Sequence, residues 1–212
     1  VPLMIRFDQS VLTTAYFPPV EYFFAIAGSG KVLIEQHEVY QKQSYRNRCN
    51  IYSAAGKESL SIPILKESYQ KVPIRDVRID YGRPWLQQHK RAIVSAYNSS
   101  PFFEYYIDDL FPILDRKESF LFDLNLLLLE KCLELTGIRA KIEFTSEYRK
   151  EYPEGDFRSI IQPKYRGDNL LVRYKKEKTW TQVFSDRFGF IGNLSIIDLL
   201  SNEGPNAISY IL

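Results

Sequence analysis

The chain has 212 residues, 45% of them apolar and 25% charged, a globular composition that excludes a disordered, collagen-like or coiled-coil chain. Lys and Arg number 28 against 26 Asp and Glu, a net charge of +2, too small to mark a general nucleic-acid binder. Two cysteines, Cys49 and Cys132, exclude a disulfide scaffold or a cysteine-rich zinc module.

Met4 reads as the initiator, with Val1–Leu3 as an added lead. The first residues lack a basic start followed by an apolar block, so no secretory signal is expected. The run FLFDLNLLLLEKCLEL is interrupted by Asp123, Asn125, Glu130 and Lys131, so no membrane span is expected. These features point to a cytoplasmic protein with reduced cysteines. Without a signal, the sequons at Asn98 and Asn193 are read as chance.

Ser10–Ala15 is rich in β-branched residues and reads as a strand. Pro18 and Pro19 stop it, and proline suits the first turn of the helix expected over Val20–Ala27. Lys31–Gln36 reads as a second strand, and strand–helix–strand at this spacing implies a parallel pair. A polar, basic stretch from His37 to Cys49 reads as irregular. Cys49–Ser53 and Glu58–Ile64 flank Ala54–Lys57 as a hairpin. Arg75–Asp80 alternates polar and apolar and predicts a half-exposed strand. Helices are expected from Pro84 to Ala96, after Pro101, and over Ser119–Thr136 with Gly137 as the stop. Lys141–Thr145 reads as a strand, and Glu147–Arg173 as loop. Trp180–Phe190 is aromatic and irregular, and Ser195 caps a short helix to Leu200.

The fold class expected is mixed α/β: a small, partly parallel sheet begun by a β-α-β unit, a β-hairpin, and a helical block. One domain would span 1–212, with its α/β part over about 8–82 and 139–212 and its helical block over about 83–138.

Gly28-Ser29-Gly30-Lys31 looks like the end of a phosphate-binding P-loop but fails its tests. Ala25 stands where the first glycine belongs, Val32 replaces the magnesium-binding hydroxyl, and the element order is reversed. Arg166-Gly167-Asp168 has the adhesion tripeptide by chance. The segment Tyr40–Arg48 is the first candidate site. It places Lys42, Arg46 and Arg48 within seven residues, with Tyr40 and Tyr45 between them and Asn47 beside them. Guanidinium groups bind phosphate or carboxylate bidentately, tyrosines stack on rings, and the segment follows a strand whose carboxyl end is where α/β folds bind ligands. The alternative is a solvated basic loop.

His89, one helical turn from Trp85, and His37, beside Glu38, are the candidate general bases; a satisfied structural histidine is the alternative for each. Two histidines without close ligand spacing predict no metal site, and no cofactor is specified. Cys49 beside Arg46 and Arg48 is either a nucleophile of lowered pKa or a small buried residue. Cys132 belongs to the core. Asp108 and Asp109 diverge by ~100° on a helix and make a poor acid/base pair. Tyr97 with Phe102, Phe103, Tyr105 and Tyr106 is either core or a stacking wall. Asp198 and Asn202, four apart on the last helix, can orient a substrate hydroxyl or cap that end.

Read together, Thr14–Phe23, Tyr40–Cys49, Leu60–Ile64, Pro84–Tyr106 and Thr181–Pro205 resemble the WbqC-like family, in order and over nearly the whole chain. Many members carry Gln-Pro before the Tyr-Phe-Pro segment, where this chain has Thr14-Ala15. The resemblance implies bacterial O-antigen or surface-polysaccharide biosynthesis, with glycine or another aminoacyl group as a suggested cargo. The opening also invites a fold analogy with nucleotidyltransferases, but their paired histidines are missing. Two function classes follow. One is a transferase acting on an activated sugar or acyl donor, with Lys42, Arg46 and Arg48 on the anion, Tyr16 and Tyr40 on the ring and His89 as base. The other is a non-catalytic glycan- or nucleotide-sugar-binding or assembly protein of the same pathway. Nucleic acid is not expected as a partner.

Overall fold

The computed structural model describes residues 6–69 and 71–212; Met4 and Val1–Leu3 lie outside the described residues. The chain opens with β1 (Phe7–Thr13), α1 (Val20–Ala27) and β2 (Ser29–Glu35). The two strands are parallel, with Phe7 opposite Ser29 and Thr13 opposite Glu35. Both begin earlier than their apolar residues suggest, because Asp8, Gln9 and Gly30 are polar or small and carry no periodic signal. Helix α1 is buried on nearly every face, as its sequence VEYFFAIA requires.

The hairpin follows as β3 (Arg48–Ser53) and β4 (Gly56–Ser61), antiparallel around a two-residue turn. Gly56 there takes a positive φ of 94°. The strand expected over Arg75–Asp80 is not formed. Ile74–Asp76 is a 3-10 turn, and only isolated bridges follow, Arg78 to Phe120 and Ile79 to Ile64. Its alternation is that of a short linker whose apolar residues, Ile74, Val77 and Ile79, point into the core.

The helical block is α2 (Trp85–Tyr97), α3 (Phe103–Asp115) and α4 (Leu121–Thr136). Helix α3, which follows Pro101, runs through Pro112 to Asp115. Gly137 ends α4 in the left-handed conformation, and the Ile138 N–H returns to the Leu133 carbonyl at 3.0 Å, the C-terminal motif its sequence signals. Strand β5 (Ile142–Phe144) then lies parallel to β2, giving the sheet order β1-β2-β5. The C-terminal region holds four short helices, α5 (Leu170–Arg173), α6 (Ser185–Phe188), α7 (Ile196–Glu203) and α8 (Ala207–Ile211). Ser195 caps α7, its hydroxyl accepting the Ile197 N–H at 3.4 Å. The stretch Glu147–Arg173 is loop up to α5.

That loop has a structural task. The Val11 N–H donates to the Gly155 carbonyl at 2.7 Å, and the Phe157 N–H donates to the Val11 carbonyl at 3.0 Å. A parallel bridge between Val11 and Asp156 thus lays the loop along the free edge of β1. Gly155 has φ of 67°, and a Cβ there would sit 1.8 Å from the Gln9 carbonyl oxygen, so only glycine permits this approach. Gly155→Ala is expected to cost about 2 kcal/mol and to detach the loop from β1. Faster hydrogen exchange at the Val11 and Phe157 amides would show it; native protection in the variant would refute it.

Candidate functional site

Register decides what meets at the carboxyl end of the sheet. Thr13 pairs with Glu35, so the β1 and β2 ends are level. Leu33 pairs with Glu143, which brings Thr145 beside Glu35. The bridge from Val11 to Asp156 brings Arg158 to the same level. Glu35, 0% exposed, accordingly receives the Thr145 hydroxyl at 2.9 Å, the His37 N–H at 2.7 Å and Arg158 Nη1 at 3.2 Å. Arg158 grips Asp156 with Nε at 2.8 Å and Nη2 at 2.6 Å. Against the cost of its partial burial, that grip holds the Asp156 carboxyl below its usual range.

The loop after β2 brings a second pair. Arg46 donates Nε to Glu38 Oε1 at 2.8 Å and Nη2 to Glu38 Oε2 at 2.5 Å. Both side chains are buried, Arg46 to 1% exposure. Burial raises the Glu38 carboxyl pKa, and Arg46 offsets only part of the rise. Arg46 Nη1 has no hydrogen-bond partner among the described residues. The second half of the loop is held, whereas Gln41, Lys42 and Gln43 are exposed. Tyr16 N–H donates to the Tyr45 carbonyl at 2.8 Å, Asn125 Nδ2 to the Arg46 carbonyl at 2.7 Å, and Ile62 N–H to the Asn47 carbonyl at 2.8 Å. Gln43 at φ 57° turns the chain.

These two ion pairs form part of the wall of a cleft of about 660 Å³. Lys42, Arg46, Lys150, Arg158, Lys164 and Arg166 line it, against Glu38, Glu151 and Asp156. The cleft is therefore basic overall and lies off the carboxyl ends of the parallel strands, where open α/β sheets place ligands.

The other candidates are dispersed. Tyr40 packs on the core edge. Asn47 Nδ2 donates to the Ile62 carbonyl at 2.8 Å, and Arg48 Nε to the Ser61 hydroxyl at 3.0 Å; neither residue lines the cleft. His37, on the rim of the sheet, donates Nε2 to the Thr145 carbonyl at 3.0 Å. His89 is 4% exposed and lies 3.0 Å by Nδ1 from the hydroxyl of buried Tyr16. The ring N–H goes to the Ser61 carbonyl, so Nδ1 accepts from Tyr16. Burial lowers the His89 pKa to about 4 and pushes the Tyr16 hydroxyl well up. The two histidines thus have separate partners.

Tyr97 and Asp198 meet in the interior below α7. Asp198 Oδ2 accepts Trp180 Nε1 at 2.9 Å and Gln182 Nε2 at 2.8 Å, and the Tyr97 hydroxyl faces the same carboxylate. Burial raises Asp198 to about 6. Asn202 Nδ2 donates to the Asp198 carbonyl at 2.7 Å, a contact within the helix. Cys49 and Cys132 are both buried, and burial pushes both thiols up, Cys132 to about 12. That is the reverse of an activated nucleophile.

Among the described residues no group of three or more His, Cys, Asp or Glu could hold a metal ion, and no helix is long and apolar enough to cross a membrane. Sequence reading missed Glu35, Tyr148, Asp156, Arg158 and Tyr165. Only the sheet register and the 155–158 edge contact bring these residues to the loop 41–46.

Residues 14–171 match the WbqC-like protein family. The chain belongs to that family. Over 227 residues it is 26% identical to the uncharacterized protein Rv1507c of Mycobacterium tuberculosis (strain ATCC 25618 / H37Rv), covering 95% of this chain and 96% of that protein. No solved structure matches it. Every residue of the cleft, from Glu38 to Arg166, falls inside the WbqC-like span, whereas Asp198 and Asn202 fall outside it.

Proposed function

We propose that this WbqC-like chain is a transferase of bacterial surface-polysaccharide biosynthesis that takes an activated, anionic sugar or acyl donor in the basic cleft. The observation that carries this reading is Arg46. Two of its three nitrogens are used by Glu38, the third is buried without a partner among the described residues, and the residue lines the cleft. An unsatisfied buried guanidinium N–H is costly, and a bound phosphate or carboxylate would satisfy it. Lys42, Lys164 and Arg166 would add charge to hold the donor and to stabilise its leaving group. With both thiols buried, direct transfer to an acceptor fits better than a covalent enzyme intermediate. A carboxylate of the cleft, released from its arginine, would take the proton from an attacking hydroxyl or amine, since His89 is buried away from it. Aminoacyl transfer, glycine included, is one reaction of this class.

The second reading is a non-catalytic binding or assembly protein of the same pathway. It is favoured by the locking of Glu38 and Asp156 to arginines and by the closed surroundings of His89.

A thermal-shift screen of nucleotide sugars, acyl-adenylates, coenzyme A and glycine tests the proposal. A ligand at 100 times its Kd should stabilise the protein by ~2.7 kcal/mol. The gain should vanish in Lys164→Ala/Arg166→Ala and persist in Arg48→Ala. A flat screen on folded protein would overturn the cleft as a donor site. A hit that is bound but never consumed in the presence of sugar and amine acceptors would support the second reading.

A further inference from the structure

We infer that the cleft is shaped for a nucleoside diphosphate, its diphosphate on Arg46 and the basic rim and its planar ring against Tyr148 and Tyr165. This rests on the anion-binding reading above and narrows it to one ligand class. The first argument is what lines the cleft. No aliphatic side chain is among the described lining residues, and the only large apolar surfaces are the rings of Tyr148 and Tyr165. They are 54% and 38% exposed. A lipid-linked donor would need an apolar groove for its tail, and this cleft offers none. A ring-bearing, water-soluble anion matches both surfaces it does offer.

The two rings are already held. The Arg158 guanidinium lies 5.7 Å from the Tyr148 centroid and 5.0 Å from that of Tyr152, and Arg158 is itself fixed by Asp156 and Glu35. A cation over one face of Tyr148 leaves the other for stacking. The Tyr165 hydroxyl accepts Arg173 Nη2 at 2.6 Å. Side chains fixed before binding lose little entropy on binding.

Charge and size point the same way. A single carboxylate would be served by one cation. Lys42, Lys164 and Arg166 on the same wall suit a ligand with several negative charges. The volume of about 660 Å³ is that of a small-molecule pocket, roughly 300–1,000 Å³, and far exceeds what a lone phosphate needs. Free nucleotides, nucleotide sugars and coenzyme A all carry this chemistry.

Isothermal titration of the full chain with pyrophosphate, ADP, GDP, CDP, UDP and coenzyme A tests the inference. At least one nucleoside diphosphate should bind on the order of ten-fold tighter than pyrophosphate, the margin of one base stacked on an aromatic ring. Tyr148→Ala/Tyr165→Ala should erase that margin and leave pyrophosphate binding unchanged. Tyr148→Phe should keep it. Both residues are exposed, so an unchanged melting temperature is expected. Coenzyme A binding as tightly as ADP assigns the ligand to an acyl carrier; ADP or another diphosphate binding tighter assigns it to a nucleotide donor. Diphosphates no tighter than pyrophosphate, or a margin that survives the double alanine variant, would overturn the inference while leaving the anion site standing. Binding of neither would overturn both.

Discussion

Arg46→Ala is expected to destabilise the protein by about 3–5 kcal/mol, because it leaves the buried Glu38 carboxylate without the arginine that pairs with it. The loss should depend on pH in a definite sense. Burial already raises the folded-state pKa of Glu38 above its usual value, and removing Arg46 takes away the largest opposing influence. A carboxyl whose folded pKa is raised contributes stability that is present below its unfolded pKa and is lost as pH rises through the folded one. The deficit of Arg46→Ala relative to the native chain should therefore be larger at neutral pH than in mild acid. Replacing both partners, Glu38→Leu with Arg46→Met, should recover most of the stability, since no charge is then stranded. Denaturant unfolding at two pH values measures all three effects. A loss under about 1 kcal/mol for Arg46→Ala would mean that the pair is open to water, and the cleft wall would have to be redrawn.

The pH dependence of stability should change in opposite directions in His89→Gln and Asp198→Asn. His89 has a folded pKa of about 4 against an ordinary 6.5. Its contribution is present above the ordinary value and is lost as pH falls toward the folded one, because burial disfavours the charged ring. Asp198 has a folded pKa of about 6 against an ordinary 3.8. Its contribution is present below 3.8 and is lost as pH rises through about 6. Each swing is on the order of 3 kcal/mol, and the two nearly cancel in the native chain between about pH 4 and 6. His89→Gln should therefore gain stability relative to the native chain on acidification across this window, and Asp198→Asn should lose it. Gln can still donate to Ser61 and accept from Tyr16, which separates the titration from the loss of the hydrogen bonds. Parallel stability curves for native and variant chains would show that neither group titrates in this range.

The β-α-β opening was legible because Val11, Leu12, Val32, Leu33 and Ile34 alternate with helix-forming VEYFFAIA between prolines and glycines. The hairpin was legible from Gly56, and α4 from its apolar run and Gly137. Arg75–Asp80 misled because a linker whose apolar residues face a core has the same alternation as a strand. For the site, Lys42 and Arg46 stood out as cations spaced by aromatics after a strand. Arg48 shares that pattern, but β3 begins at this residue and carries it away from the cleft. The partners of the loop, Asp156, Arg158, Tyr148 and Tyr165, are more than 100 positions further on, in a stretch with no periodicity. What brings them back is Gly155, whose missing Cβ lets the loop join the edge of β1. Trp85, one turn from His89, shares its face of α2, and both side chains are buried.

Ligand is expected to bind at the carboxyl end of the parallel sheet, beside Arg46. A crystal structure of the full chain grown with pyrophosphate tests it most directly. The expected result is anion density against Arg46 and the Lys42 and Lys164 ammonium groups. An empty cleft in protein that binds pyrophosphate in solution, or density at another site, would contradict it.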